Sequence, residues 1–374
     1  MPNSSGATSS RRTVFGMSPA ARYRELRVNR AVYLLGLLLL CAPWAAWWST
    51  LWNQMQVPAS EFADAFPNPT TLHAAMASIL QQFTQGALGF SVPFFLFAAI
   101  ALGLALFVND RVIGGLLYSL EGPLRRSEVY AAKVLFGTTA VLLPALAGTA
   151  GIALFAVASG NQVLVGAILL RGLFYATGAV SLFATALAMS CAMGAFLSAV
   201  AALTWAGLPS LLQSFVFNIF LMPAQPRMAL GPQNSLLAWP WLAQLAMNLA
   251  SLSPFQTNTS PLWLAPASLA LDAWFVVWTI LLLWLASGWW RRAPFERLGD
   301  AVFFPFLWNV YYAFLSFLTA LVLTALLTQG RVYGAAWAAI FFGLFAVGWF
   351  FWRFVIVSHG ARWTRPNPRG PLDI

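Results

Sequence analysis

The chain has 374 residues, of which 60% are hydrophobic and only 8% are charged. A soluble globular protein carries about 25% charged residues, so this chain cannot cover itself with a polar surface. Apolar runs of about 20 residues recur along it, the length that crosses a bilayer as a helix. We therefore predict an all-α polytopic membrane protein, and we ascribe the net charge of +10 to basic loops at one membrane face rather than to nucleic-acid binding.

The N-terminal part combines a basic segment with the first membrane span. Residues 1–30 are polar and carry six arginines, which should hold them in the cytoplasm. Ser18 can cap an interfacial helix that runs to Arg30. The first span is predicted at about 31–51, where it ends in a cluster of tryptophans, and the second at about 87–108.

Six further spans are predicted in the rest of the chain, at about 134–159, 163–193, 195–222, 269–290, 306–327 and 335–356. Residues 223–266 form a long outer loop region rich in Pro, Asn and Ser. Within this region the apolar piece 236–252 is too short and too broken for a confident span. It is read as a re-entrant or an interfacial helix, and an extra span stays open as a third reading.

The distribution of basic residues predicts eight spans with both termini in the cytoplasm. Of the 20 Lys and Arg residues, 17 then lie inside, in residues 1–30, 110–133, 291–303 and 353–374. The three that remain are Arg171, Arg227 and Arg331. The predicted organisation is a basic segment at 1–30, a six-helix core at 31–297, and a two-helix extension with a basic tail at 298–374.

Catalytic and metal-binding patterns are missing from the sequence. Neither His73 nor His359 has a metal-ligand partner at helical spacing. The only lysine, Lys133, follows no glycine-rich phosphate loop, so this chain has no such site for ATP. We expect no catalytic residue, no metal and no cofactor, and we expect that the protein is not itself an enzyme.

Two charges stand close to the predicted spans. Arg171 lies near the outer start of the fourth span and Asp272 near the outer start of the sixth. They form a candidate intramembrane pair, because a charge in lipid is commonly paired; alternatively each side chain snorkels to the interface. The spans otherwise offer almost no titratable group for proton coupling, which favours an energy source outside the chain.

The stretch from Asp110 to Lys133 lies between two spans and has a distinctive pattern: Asp110-Arg111, Gly114, Leu116-Leu117, Pro123, Arg126 and Lys133. This order and spacing resembles the segment after the second helix of ABC-2 type permeases, the membrane subunits of ATP-driven exporters. The layout of residues 31–297 is also similar to that of these permeases. The last two helices resemble the two-helix extension of some Gram-positive members.

The resemblance implies that residues 110–133 form a cytoplasmic coupling loop that docks on a separate ABC ATPase subunit. After the proline, the sequence SEVYAAK predicts a short helix capped by Ser127 with Glu128 in its first turn, and Arg125 and Arg126 would meet acidic residues of the ATPase. The implied coupling residues are Asp110, Arg111, Gly114, Pro123, Arg125, Arg126, Glu128 and Lys133.

The resemblance also implies the partners of the chain and the path of its substrate. It implies a homodimer, or a heterodimer with a related permease, among the lipids of a prokaryotic plasma membrane. Helices 2 and 5 of such permeases commonly line the substrate path, so Gln213, Ser214 and Asn218 on the fifth span are the candidate translocation residues.

Two other classes of function stay open at this point. A membrane-bound enzyme or assembly factor could use the basic loop for docking, and a secondary transporter would need intramembrane ionisable groups or inverted repeats. Loop basicity alone accounts for the arginines but not for the Gly, Pro and Lys spacing. The sequence identifies neither the substrate nor the direction of transport.

Overall fold

The computed structural model describes residues 18–55, 77, 80, 91–112, 125–194, 198–203, 267–292, 306–328, 332 and 334–363. Within them the chain is helical almost throughout. The long helices are α1 (Pro19–Met55), α2 (Ser91–Val112), α3 (Arg126–Ala158), α4 (Val165–Ala192), α5 (Ala267–Arg292), α6 (Phe306–Thr328) and α7 (Ala335–Trp363). A short 3-10 turn at Gln162–Leu164 precedes α4.

Six of the described helices are long and apolar enough to cross a membrane, as expected of a multi-pass all-α membrane protein. The six stretches are Pro19–Ser49, Arg126–Ala158, Gln162–Ala192, Asp272–Arg292, Asn309–Thr328 and Ala335–Val355, and α2 adds a shorter apolar stretch at Phe94–Val108. The total of eight spans and the cytoplasmic location of both termini stay predictions. Of the predicted fifth span only 198–203 is described, and it is helical; 236–252 lies outside the described residues.

The helix α1 contains both the predicted N-terminal helix and the first span. It begins after Ser18, whose hydroxyl accepts a hydrogen bond from the Ala21 amide at 3.3 Å, so the predicted cap is confirmed. The backbone leaves helical geometry at Asn29, with φ −104° and ψ 15°. This kink separates the basic turns from the apolar remainder of α1.

The start of α3 corrects one prediction. The expected short helix capped by Ser127 does not exist as a separate element, because α3 runs unbroken from Arg126 to Ala158. Arg125 takes the N-cap position in an extended conformation without a side-chain cap, and Ser127 falls inside the first turn. Nothing around Lys133 stops a helix, so the two predicted pieces merge. Glu128 lies in the first turn, as predicted.

The first compact unit comprises residues 1–191 and 261–292. Its helices approach closely where one of them carries a glycine, as is usual between membrane helices. A Cβ added at Gly103 of α2 would lie 2.8 Å from the backbone oxygen of Phe183 in α4. One added at Gly148 of α3 would lie 2.3 Å from the Trp44 ring of α1. These contacts place α2 directly on α4 and α3 on α1.

The second unit comprises residues 192–260 and 293–374, of which α6 and α7 form the main described part. These two helices pack through aromatic side chains. The Trp337 and Phe341 rings of α7 stack at 5.4 Å, and Phe341 meets Phe317 of α6 edge-on at 5.5 Å. A polar contact also joins the two helices, because the Trp352 indole donates a hydrogen bond to Thr319 Oγ1 at 3.0 Å.

Replacing Gly103 with Ala should destabilise the protein by about 1–3 kcal/mol, since the added methyl meets backbone that cannot rotate away. Gly166→Ala is the matched control, because a Cβ there has nothing within 4 Å. Thermal unfolding of the detergent-purified proteins, followed by tryptophan fluorescence, measures the difference. Equal midpoints for the two variants would contradict the close approach of α2 and α4.

Candidate functional site

The only lysine of the chain is fully buried near the start of α3. The side chains of Lys133 and Glu25 are both 0% exposed, and Lys133 Nζ lies 3.2 Å from Glu25 Oε1. The same ammonium donates a hydrogen bond to the backbone oxygen of Leu106 at 2.9 Å. A buried charge is stable only when it is paired and hydrogen-bonded, so this ammonium joins α1, α2 and α3 at one point.

Two hydrogen-bond donors and one further cation of α1 also surround Glu25. Asn29 Nδ2 and the Tyr33 hydroxyl donate to Glu25 Oε1 at 2.8 and 2.9 Å, and Arg24 Nη1 lies 3.8 Å from Oε2. Charge-assisted hydrogen bonds of this kind are about twice as strong as neutral ones. Asn29 is also the residue at the kink, so the carboxylate is fixed at the place where α1 changes direction.

An aromatic contact extends the network to α5. Lys133 Nζ lies over the Phe107 ring of α2, 5.3 Å from its centroid, in a cation–π arrangement. The Phe107 ring meets the Trp290 ring of α5 edge-on at 4.9 Å. The Trp290 indole in turn donates a hydrogen bond to the backbone oxygen of Arg126 at 2.8 Å. We refer to Glu25, Lys133, Leu106, Phe107 and Trp290 as the Lys133 hub.

The first turns of α3 are tied to α1 and α5 by three more hydrogen bonds. The Ser18 hydroxyl donates to Glu128 Oε2 at 2.8 Å. The Tyr130 hydroxyl donates to the Leu283 oxygen at 2.8 Å, and Arg126 Nη1 to the Arg291 oxygen at 3.3 Å. The start of α3 therefore cannot shift without breaking polar contacts to both neighbouring helices.

Several predicted coupling residues meet in this region. Arg126, Glu128 and Lys133 lie within the first turns of α3, and Arg125 is exposed at its N-cap. The backbones of Asp110 and Arg111 belong to the last turn of α2, whereas their side chains lie outside the described residues. Gly114, Pro123 and the predicted path residues Gln213, Ser214 and Asn218 also lie outside them.

Sequence reasoning did not identify Glu25 or Trp290 as parts of this site. One signal could have pointed to Glu25, because it is the single acidic residue among the first 30, and Lys133 is the single lysine. Two rare, opposite charges that each lie just before a predicted span are candidates for an ion pair. No comparable signal distinguishes Trp290 among the 18 tryptophans.

Arg171 and Asp272 are both 4% exposed, and each has a different polar partner. Arg171 Nε donates to the Tyr175 hydroxyl at 2.9 Å, while Asp272 Oδ1 accepts from Thr177 Oγ1 at 3.0 Å. The Arg171 guanidinium also lies 5.4 Å from the Phe174 ring centroid. Arg171 is therefore buried on α4, and Asp272 is buried on α5 where it contacts α4 through Thr177. A direct contact between the two charges stays a prediction.

The described ranges contain no group of three or more His, Cys, Asp or Glu residues that could hold a metal ion. Comparisons with protein-family models, with curated proteins and with solved structures find no match to this chain.

Removing the charge of Lys133 alone should be strongly destabilising, because Glu25 is left buried without its counter-charge. We expect Lys133→Met to cost about 3–5 kcal/mol, and the double variant Glu25→Gln/Lys133→Met to recover most of that loss. Thermal unfolding of the four proteins of this double-mutant cycle gives the coupling energy.

Arg30→Met serves as the control for charge removal, since Arg30 is exposed on the same helix as Glu25. Its effect should stay within about 0.5 kcal/mol. Additive effects of the two hub substitutions would contradict the buried pair.

Proposed function

We propose that this chain is the membrane permease subunit of an ABC transporter, an exporter whose ATP is hydrolysed by a separate ATPase subunit. It acts as a homodimer, or as a heterodimer with a related permease, in a prokaryotic plasma membrane. The ATPase docks on the start of α3, and its movement there shifts the helices that line the substrate path.

The observation that carries this proposal is the Lys133 hub. A force applied to the first turn of α3 reaches α1 through Ser18 and Glu25, α2 through Leu106 and Phe107, and α5 through Trp290. Coupling between distant sites is carried by such contiguous networks of buried contacts. The arrangement suits a subunit that receives mechanical work from outside.

The length of α3 supports a docking role for its first turns. Its 33 residues make a helix of about 50 Å, whereas the hydrocarbon core of a bilayer is about 30 Å thick. The helix can thus cross the membrane and still project beyond it. Arg125 is exposed at the N-cap, and together with Arg126 it offers positive charge to acidic residues of a partner.

The charge reversal Arg125→Glu/Arg126→Glu should abolish binding of the ATPase, because it places carboxylates against an acidic surface. The matched control is Arg27→Glu/Arg30→Glu, which makes the same change in charge at two exposed positions of α1. The tagged full chain is purified from its native host in mild detergent, and ATP hydrolysis is measured in the eluate.

We expect ATPase activity to co-elute with the wild type and with the control, but not with the Arg125/Arg126 variant. Equal membrane insertion of all three proteins is checked by membrane fractionation. Absence of ATPase activity with the wild type would overturn the proposed function. Unchanged activity with the Arg125/Arg126 variant would overturn the docking site alone.

A further inference from the structure

One face of α5 is turned away from the other helices of its unit. Its buried residues recur every three or four positions, at Phe275, Thr279, Leu282, Ala286 and Trp290. On the opposite side Val277, Ile280 and Trp284 are exposed, Trp284 by 68% of its surface. In a membrane span such a stripe is in contact with lipid acyl chains.

Two arginines end this exposed stripe. Arg291 follows Trp284 by seven residues, as Trp284 follows Val277, and seven residues return to the same side of a helix within about 20°. Arg292 follows the exposed Leu281 by 11 residues, which also returns to the same side of the helix within about 20°. Both arginines are themselves exposed. From Val277 to Arg291 the stripe is about 21 Å long, enough for the acyl chains of one leaflet.

The Arg291 side chain folds back along the helix towards the apolar stripe. Its Nε donates to the Ser287 backbone oxygen at 3.3 Å and its Nη2 to Ser287 Oγ at 3.1 Å. Among the residues that the structure describes, ion pairs at Glu25 engage Arg24 and Lys133, and none engages Arg291 or Arg292. A guanidinium held beside apolar surface is stabilised by an anion, and the bilayer supplies phosphates at this depth.

A third guanidinium lies at the same corner. Arg126 Nη1 donates to the Arg291 backbone oxygen at 3.3 Å, which brings the start of α3 beside the end of α5. The Trp290 indole fixes this approach by its hydrogen bond to the Arg126 oxygen at 2.8 Å. Arg126 and Arg291 are therefore positioned by protein contacts, unlike the arginines of a loose basic loop.

We propose that Arg126, Arg291 and Arg292 form a binding site for the phosphate of an anionic phospholipid, whose acyl chain lies along Leu281 and Trp284. Guanidinium groups bind phosphate oxygens in a two-pronged geometry, which suits a phosphodiester at the membrane surface. The apolar stripe makes the ligand a lipid rather than a soluble anion. The site needs no ATPase subunit, so it stands independently of the transporter assignment.

The test uses the full chain, delipidated in a nonionic detergent, and native mass spectrometry with two lipids of identical acyl chains. We expect phosphatidylglycerol to bind more tightly than phosphatidylcholine. Arg291→Gln/Arg292→Gln should weaken phosphatidylglycerol binding about 30-fold, since each arginine near a membrane surface contributes about fivefold. Binding of phosphatidylcholine should weaken much less, because its quaternary ammonium already neutralises the charge of the same phosphate.

Arg27→Gln/Arg30→Gln is the control, because it removes two exposed arginines from a different helix. A loss as large as that of the Arg291/Arg292 variant would mean general charge attraction and would overturn the site. Displacement of phosphatidylglycerol by millimolar inorganic phosphate would likewise overturn it in favour of a soluble-anion site. Trp284→Ala should weaken phosphatidylglycerol binding, because it removes part of the apolar surface along which the acyl chain lies.

Folding is checked by gel filtration and circular dichroism. Should the glutamine variant fail to fold, Arg291→Lys/Arg292→Lys keeps both charges but loses the two-pronged geometry, and an intermediate affinity is expected. Wild-type affinity in this lysine variant would show that the phosphate is not held by the guanidinium groups. Unchanged phosphatidylglycerol binding in a folded Arg291→Gln/Arg292→Gln variant would overturn the lipid site, whatever the result of the ATPase co-elution experiment.

Discussion

The buried ammonium of Lys133 is the constraint on which the inner arrangement of α1, α2 and α3 depends. An uncompensated charge in such surroundings is destabilising by several kcal/mol, so Glu25 and the Leu106 oxygen must stay within hydrogen-bonding distance of it. Because Glu25 precedes the kink at Asn29, the basic turns of α1 belong to the folded core. They are not merely a tail that sets membrane orientation.

The contacts around this charge differ in kind from those deeper in the same unit. Near the start of α3, polar bonds through Ser18, Tyr130 and Trp290 connect it to α1 and α5. Further along, Gly103 and Gly148 let backbones and rings approach closely. Close packing resists deformation, and contiguous networks of buried contacts carry coupling between sites. The polar end is therefore the place where a displacement of α3 would be passed on to α1 and α5.

Sequence reasoning located the helices that the structure describes, because hydropathy and length decide membrane spans. The Ser18 cap follows from local chemistry and was confirmed, whereas the Ser127 cap was wrong because the helix begins at Arg126 and Arg125 takes the N-cap position. The Glu25–Lys133 pair joins residues 108 positions apart, and periodicity carries no information on such pairing. The one sequence signal for this pair was the rarity of its two residues: Glu25 is the single acidic residue among the first 30, and Lys133 is the single lysine. This rarity indicates the two residues but does not show that they are in contact.

The division of charge around the start of α3 bears on how a partner would be recognised. Glu128 is among the predicted coupling residues, and its carboxylate accepts a hydrogen bond from Ser18 and thus links α3 to the start of α1. Arg126 reaches towards the end of α5, while Arg125 at the N-cap is exposed. Arg126 therefore belongs to both the proposed lipid site and the proposed docking surface, whereas Arg125 belongs to the docking surface alone. An anion bound at one of them would alter the electrostatic environment of the other, because the two arginines are adjacent.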